Sequence, residues 1–138
     1  MDAAVITWLE GPDNAGRLKV EHPTWEDVES AIRSLDAAGN GLVVLTPDTG
    51  YPFMAVSGGI TSSGTEQFVT CVTHGDFTNF WLCNGTDDDE VVYVNKSGNL
   101  EDVPKYRVCG LMQTLNVARE FFVKGETTRN SVWEEDRQ

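Results

Sequence analysis

The sequence predicts an α+β domain: an antiparallel sheet of about five to seven strands with two amphipathic helices. Two apolar stripes at helical spacing, Val28-Ala31-Ile32-Leu35 and Leu111-Leu115-Ala118-Phe122, flank a middle region of short apolar runs. Polar turn residues separate those runs at close intervals, the pattern of antiparallel neighbours. The 138 residues fit one domain spanning 1–138, and a 40% hydrophobic content supplies an ordinary core.

Val5, Ile6, Trp8 and Leu9 predict an opening strand, the turn chemistry of Gly11–Gly16 follows, and Arg17–Glu21 alternates polar and apolar. A hairpin over residues 3–21 is the expectation. Thr24 then suits an N-cap, with Asp27 at the capping-box position, although Asp has a shorter reach than Glu. Glu26, Asp27 and Glu29 favour the positive end of the helix dipole. Gly39-Asn40-Gly41 is the expected stop, because both residue types tolerate the left-handed conformation.

Leu42–Thr46 is a continuous apolar run and predicts a central strand buried on both faces. Pro47–Gly50 reads as a turn and Tyr51–Val56 as the next strand, with Pro52 tolerable at an edge or a strand beginning. Ser57-Gly58-Gly59 and Thr61–Gly64 read as a flexible link. Glu66–Thr73, Thr78–Cys83 and Glu90–Val94 predict a three-stranded meander, with Asp87–Glu90 at a solvated hairpin tip. Asn95–Asn99 reads as a loop, and 100–107 as irregular because of Pro104. The second helix starts near Leu111 and ends at Gly125, with Met112 and Phe121 beside its stripe and Lys124 in its last turn. Glu134–Gln138 reads as a solvated tail.

The net charge is −12, from 22 acids and 10 bases, which opposes direct binding to a phosphate backbone. Residues 1–104 hold 17 acids and 4 bases, and residues 105–138 hold 5 and 6, so the excess lies on the sheet and its loops. Such a surface serves solubility or meets a basic partner. No apolar run approaches the roughly 20 residues that span a bilayer. The first residues carry Asp2 and no basic stretch, unlike a signal peptide, so a cytoplasmic protein without membrane contact is expected.

Little in the sequence promises catalysis. Cys71, Cys83 and Cys109 form neither a disulfide framework nor a Cys-x-x-Cys pair, so buried free thiols are expected. Cys109 stands near a helix N-terminus, where a thiol pKa can fall. Cys71 and His74 could pair as nucleophile and base, but residues three apart on a strand point to opposite faces. The run Asp87-Asp88-Asp89-Glu90 lacks the alternate spacing of a calcium loop. The Gly58-Gly59 and Ser62–Gly64 stretch lacks a phosphate-cradling ending, and Asn84-Gly85-Thr86 and Asn95-Lys96-Ser97 match glycosylation acceptors only in pattern. No cofactor and no metal are expected. Of the four tryptophans, Trp81 stands out because its strand leads to the acidic run.

The order of motifs resembles the first immunity-protein family of bacterial polymorphic toxin systems. It runs from an opening strand with Trp8 through PTWEDVESAIRSLD, LVVL, VSGG and the strands after them to AREFFVKG and a final VW. Pro23 with Trp25, Gly58-Gly59, and Phe121–Gly125 with Trp133 carry the likeness, which covers nearly the whole chain. Val108-Cys109-Gly110 departs from the small polar cap expected before the last helix. The resemblance implies a non-catalytic inhibitor, made beside a toxin that is often a nucleic-acid deaminase or nuclease, which it blocks by binding. It transfers no binding site, since toxin-facing loops differ with each toxin.

On this basis the expected partner is a basic toxin, met by carboxylates that mimic phosphates. The expected contacts are Asp76, Trp81, Asp87, Asp88, Asp89 and Glu90. Two other readings stay open: an interaction module with no toxin, and a small enzyme using Cys109 or Cys71.

Overall fold

The computed structural model describes residues 6–13, 16–36, 42–96, 99–126 and 132–136. It is an α+β fold with nine strands and two α-helices among those residues. Seven strands form one antiparallel sheet: β1 (Ile6–Asp13), β2 (Gly16–Glu21), β3 (Leu42–Pro47), β4 (Phe53–Ile60), β5 (Glu66–Thr73), β6 (Asn79–Cys83) and β9 (Val132–Asp136). Their spatial order is β2-β1-β3-β4-β5-β6-β9. The remaining two, β7 (Val91–Lys96) and β8 (Asn99–Pro104), form a separate hairpin.

Local chemistry explains α1 (Trp25–Arg33). Both arms of its capping box close: the Asp27 N–H donates to the Thr24 hydroxyl (3.2 Å) and the Thr24 N–H to the Asp27 carboxylate (2.9 Å). Its stripe is buried, with Val28 and Ile32 fully covered. The helix stops at Arg33, and Ser34 caps it with its N–H still bonded to helix carbonyls. The expected stop at 39–41 lies outside the described residues. The second helix, α2 (Leu111–Lys124), ends on Gly125 in the left-handed conformation (φ 74°), as its sequence predicts. Its buried face is centred one step away from the expected stripe. Thr114, Leu115, Val117, Ala118 and Phe121 are buried, Leu111 and Phe122 are half-buried, and Met112 is exposed.

Both helices cover one face of the sheet. Ile32, Leu35, Leu115 and Phe121 pack there with Val43, Leu45, Met54, Val56, Phe68 and Leu82. The Trp25 and Phe122 rings join the helices, 6.0 Å apart. The β7–β8 hairpin lies on the opposite face, where Val94 and Val103 pack with Val69 and Trp81. Cover there is partial, so β3 is not buried on both faces. Val43 and Leu45 are buried, whereas the alternate residues Leu42 and Val44 are half-buried.

Several other expectations are corrected. Gly11 and Pro12 are not turn residues but belong to β1, pairing with Leu18 and Arg17. Pro12 is tolerated because β3 pairs with β1 only as far as Glu10. Ser57-Gly58-Gly59 is no flexible link but part of β4, in register with Val69, Phe68 and Gln67. A Cβ on Gly58 would stand 1.9 Å from the Gln67 carbonyl oxygen. One on Gly59 would stand 2.7 Å from the backbone of Leu35 and Asp36. The meander also fails, since β6 pairs with β9 rather than β7. Residues 100–107 are ordered as β8 and a 3₁₀ turn (Lys105–Arg107), with Pro104 harmless at the strand's last position. Glu134–Asp136 is not a solvated tail but the edge strand.

Candidate partner-binding surface

Because β9 occupies the place beside β6, the chain leaves the sheet after Cys83 and crosses to β7 through residues 84–90. The four acids there are exposed, yet the backbone is tied down. The Asn84 side-chain amide donates to the carbonyls of Lys105 (2.9 Å) and Val108 (3.0 Å) and accepts from the Thr86 N–H (2.9 Å). The Tyr106 N–H donates to the Asp88 carbonyl (2.9 Å) and the Lys105 N–H to the Glu90 carbonyl (2.8 Å). Asp88 Oδ1 also accepts from the Glu90 N–H (3.0 Å). The Lys105 ammonium lies 3.8 Å from Asp88 and 3.6 Å from Glu90, an exposed arrangement of small energetic worth. The result is an acidic loop held in one shape and neutralised only in part.

Trp81 lies on the hairpin face of the sheet, in register between Cys71 and Glu134. It is half-buried. The Lys96 ammonium stands 4.9 Å and the Arg107 guanidinium 5.0 Å from its ring centroid, both in cation–π range. Its indole N–H donates to Asp136 (3.3 Å). Arg107 is bonded in turn to Glu134, which also accepts from the Tyr106 hydroxyl (3.2 Å). Burial and the neighbouring Glu134 push the Tyr106 phenol above its ordinary pKa. Trp81 is therefore a packed centre that ties hairpin, 3₁₀ turn and edge strand together. Beside it, a groove of about 280 Å³ is lined by Cys71, Lys96 and Glu101 among others.

Asp76 belongs to the β5–β6 turn, at the opposite end of β6 from the acidic loop. A five-residue strand is about 17 Å long, so the structure divides the expected contacts into two places. Asp76 is fully exposed, and hydrogen bonds from the Thr78 hydroxyl and N–H (3.0 Å) hold its carboxyl below the usual range. The same turn holds Phe77 at φ 65°, two-thirds exposed, with its ring edge-on to Tyr51 at 6.2 Å. A shallow hollow of about 660 Å³ lies there, lined by His74, Asp76, Phe77, Phe80 and Glu135.

The three cysteines are free and buried. The expected lowering at Cys109 is reversed: burial, helped by neighbouring Cys83, pushes its thiol up to about 12. The helix start lends nothing visible against that desolvation, since Gly110 is the N-cap and the Leu111 N–H is taken by the Glu66 carboxylate (2.8 Å). Burial raises Cys71 and Cys83 as well. Cys71 lines the groove beside Trp81, whereas His74 lines the hollow at the turn and meets Phe80 edge-on (ring centroids 5.1 Å apart). Thiol and imidazole thus open onto different spaces. Among the described residues no group of His, Cys, Asp or Glu could hold a metal ion, and no helix is long and apolar enough to cross a membrane.

Lys105 and Arg107 carry no motif in the sequence, and Asn84 matches only a glycosylation-acceptor pattern, although all three shape this surface. The one available signal was the cluster of bases in Lys105-Tyr106-Arg107, in a chain otherwise poor in them. No family model matches the chain, and no curated protein matches it.

Proposed function

We propose that this protein belongs to the first immunity-protein family of bacterial polymorphic toxin systems, and that it binds a basic toxin and occludes its active site. It acts in the cytoplasm of the producing cell and transforms nothing itself. The observation that carries the proposal is the pinned acidic loop, Asp87–Glu90. Its backbone is bonded to the 3₁₀ turn while its carboxylates stay in solvent. Solubility alone asks for charge but not for a fixed arrangement. A preorganised backbone loses little entropy on binding, and the exposed carboxylates present negative charge to an enzyme built to hold phosphates. The order of sequence motifs supports the same family.

Co-expression with the toxin encoded by the neighbouring gene tests the proposal. Wild-type protein is expected to protect the cell. Reversal of all four acids, D87K/D88K/D89K/E90K, is expected to abolish protection while the fold persists. Full protection by that variant removes the loop from the interface, and no protection by wild type removes the inhibitor function.

A further inference from the structure

We infer that the outward face of the β7–β8 hairpin, centred on Tyr93 and Leu100, is the apolar heart of a docking surface for a basic protein; this rests on the inhibitor function proposed above.

The register puts Val91 opposite Pro104, Tyr93 opposite Asp102 and Asn95 opposite Leu100, so these six residues share one face. The alternate residues, Val94 and Val103, are buried against the sheet, which fixes the hairpin and aims the six outward. Seven large apolar side chains are exposed among the described residues, and three of them, Val91 (51%), Tyr93 (62%) and Leu100 (69%), are on this face. Single exposed apolar residues are ordinary, whereas a cluster on one small face marks an interaction site. It serves no visible folding purpose, since the hairpin is already anchored by its other side.

Charge identifies the occupant. The segment 87–105 contains six acids and two lysines, and the acids Asp87–Glu90 lead directly into β7. The patch is therefore apolar at its centre and acidic at its margin. A second copy of this chain, itself at −12, would bring like charge against like. A phosphate backbone would be repelled for the same reason. A protein surface with basic residues around a small apolar hollow fits. Within the patch, Tyr93 and Asp102 stand directly across from each other, so an arginine stacked on the phenol ring reaches the carboxylate as well. A tyrosine in a strand of fixed geometry has few rotamers to lose, which suits it as an anchor.

The test uses the full chain and a catalytically inactive form of the toxin encoded by the neighbouring gene. The double variant Y93A/L100A is expected to weaken binding roughly 100-fold, the scale of a central hot spot. D102N, which leaves the apolar packing alone, is expected to weaken it roughly 10-fold and to flatten its salt dependence. M112A and V123A, which change exposed apolar residues on α2, are expected to shift it less than about 2-fold. Wild-type affinity in both Y93A/L100A and D102N, with toxin still neutralised, overturns the patch and leaves the inhibitor function standing. A wild-type protein that does not bind the toxin overturns both. Sedimentation supplies a third outcome: a dimer that dissolves in Y93A/L100A assigns the face to a second copy and overturns the basic partner.

Discussion

Arg107 and Glu134 form an ion pair across the seam where the edge strand meets the 3₁₀ turn, with two guanidinium nitrogens on one carboxylate oxygen. The same guanidinium lies over Trp81 and the same carboxylate accepts from Tyr106. Arg107 is only about one-fifth exposed in its side chain (21%), so the pair is better shielded than the ion pairs on the acidic loop. Glu134→Ala leaves a shielded cation and a phenol without their acceptor. A loss of about 1–2 kcal/mol is expected in urea unfolding, more than the same measurement gives for Lys105→Ala.

The glycine pair in β4 makes a sharper prediction about packing. Ala at Gly58 or Gly59 sets a methyl against backbone atoms that have no flexible end to move, and both positions have positive φ (92° and 142°). Gly64 also has positive φ (89°), but nothing lies within 4 Å of a Cβ there. Thermal melts should therefore separate the sites. Gly64→Ala is expected to cost about 1 kcal/mol, from backbone strain alone. Gly58→Ala and Gly59→Ala are expected to cost about 3 kcal/mol or more, or to prevent folding.

These glycines also show where the sequence stopped being informative. What is written locally was legible: the α1 cap at Thr24, the stripe Val28-Ala31-Ile32-Leu35, strand β5, and the C-cap at Gly125 each depend on neighbours within a turn or two. Gly58-Gly59 has the composition of a turn, and only the approach of Gln67 and of the α1 exit reveals a strand. The pairing of β6 with β9 links segments about fifty residues apart, and nothing local distinguishes it from a β6–β7 hairpin. Glu134-Glu135-Asp136 reads as a solvated run for the same reason, since its partners Arg107 and Trp81 come from elsewhere in the chain. Of the candidate surface, the acids were visible as composition. Their separation into the turn at Asp76 and the loop at 87–90 follows from topology alone.

The buried thiols give the stability a pH dependence. Cys109 in the folded chain ionises at about 12, well above the roughly 8.5 of an unfolded thiol. A group whose folded pKa is raised contributes fully below the unfolded value and loses that contribution as pH climbs toward the folded one. Stability is thus expected to decline from about pH 8.5 to pH 12, by up to roughly 1.4 kcal/mol per pH unit for Cys109. Urea midpoints across that range measure the slope. Cys109→Ala is expected to flatten it, with Cys71, Cys83 and, at the alkaline end, Tyr106 contributing to the remainder, since burial raises all three. A native thiol-reagent titration at pH 8 should leave Cys109 unmodified until the chain unfolds.

The acidic loop is not uniform, and that decides which of its residues would steer the proposed basic partner. Lys105 offsets Asp88 and Glu90, whereas Asp87 and Asp89 have no ion-pair partner among the described residues. Long-range attraction depends on uncompensated charge, so under the proposed function Asp87 and Asp89 carry more of the field that a basic partner would meet during encounter. Stopped-flow association with the inactive toxin is expected to slow roughly tenfold between 0.05 and 0.5 M salt, with little change in dissociation. D87N/D89N is expected to lower the low-salt rate more than D88N/E90Q, although each pair removes two charges. Equal losses would show that Lys105 provides no local compensation. A salt-independent rate in the wild type would show that the carboxylates do not guide the encounter, and would leave contact at the interface itself as their only role.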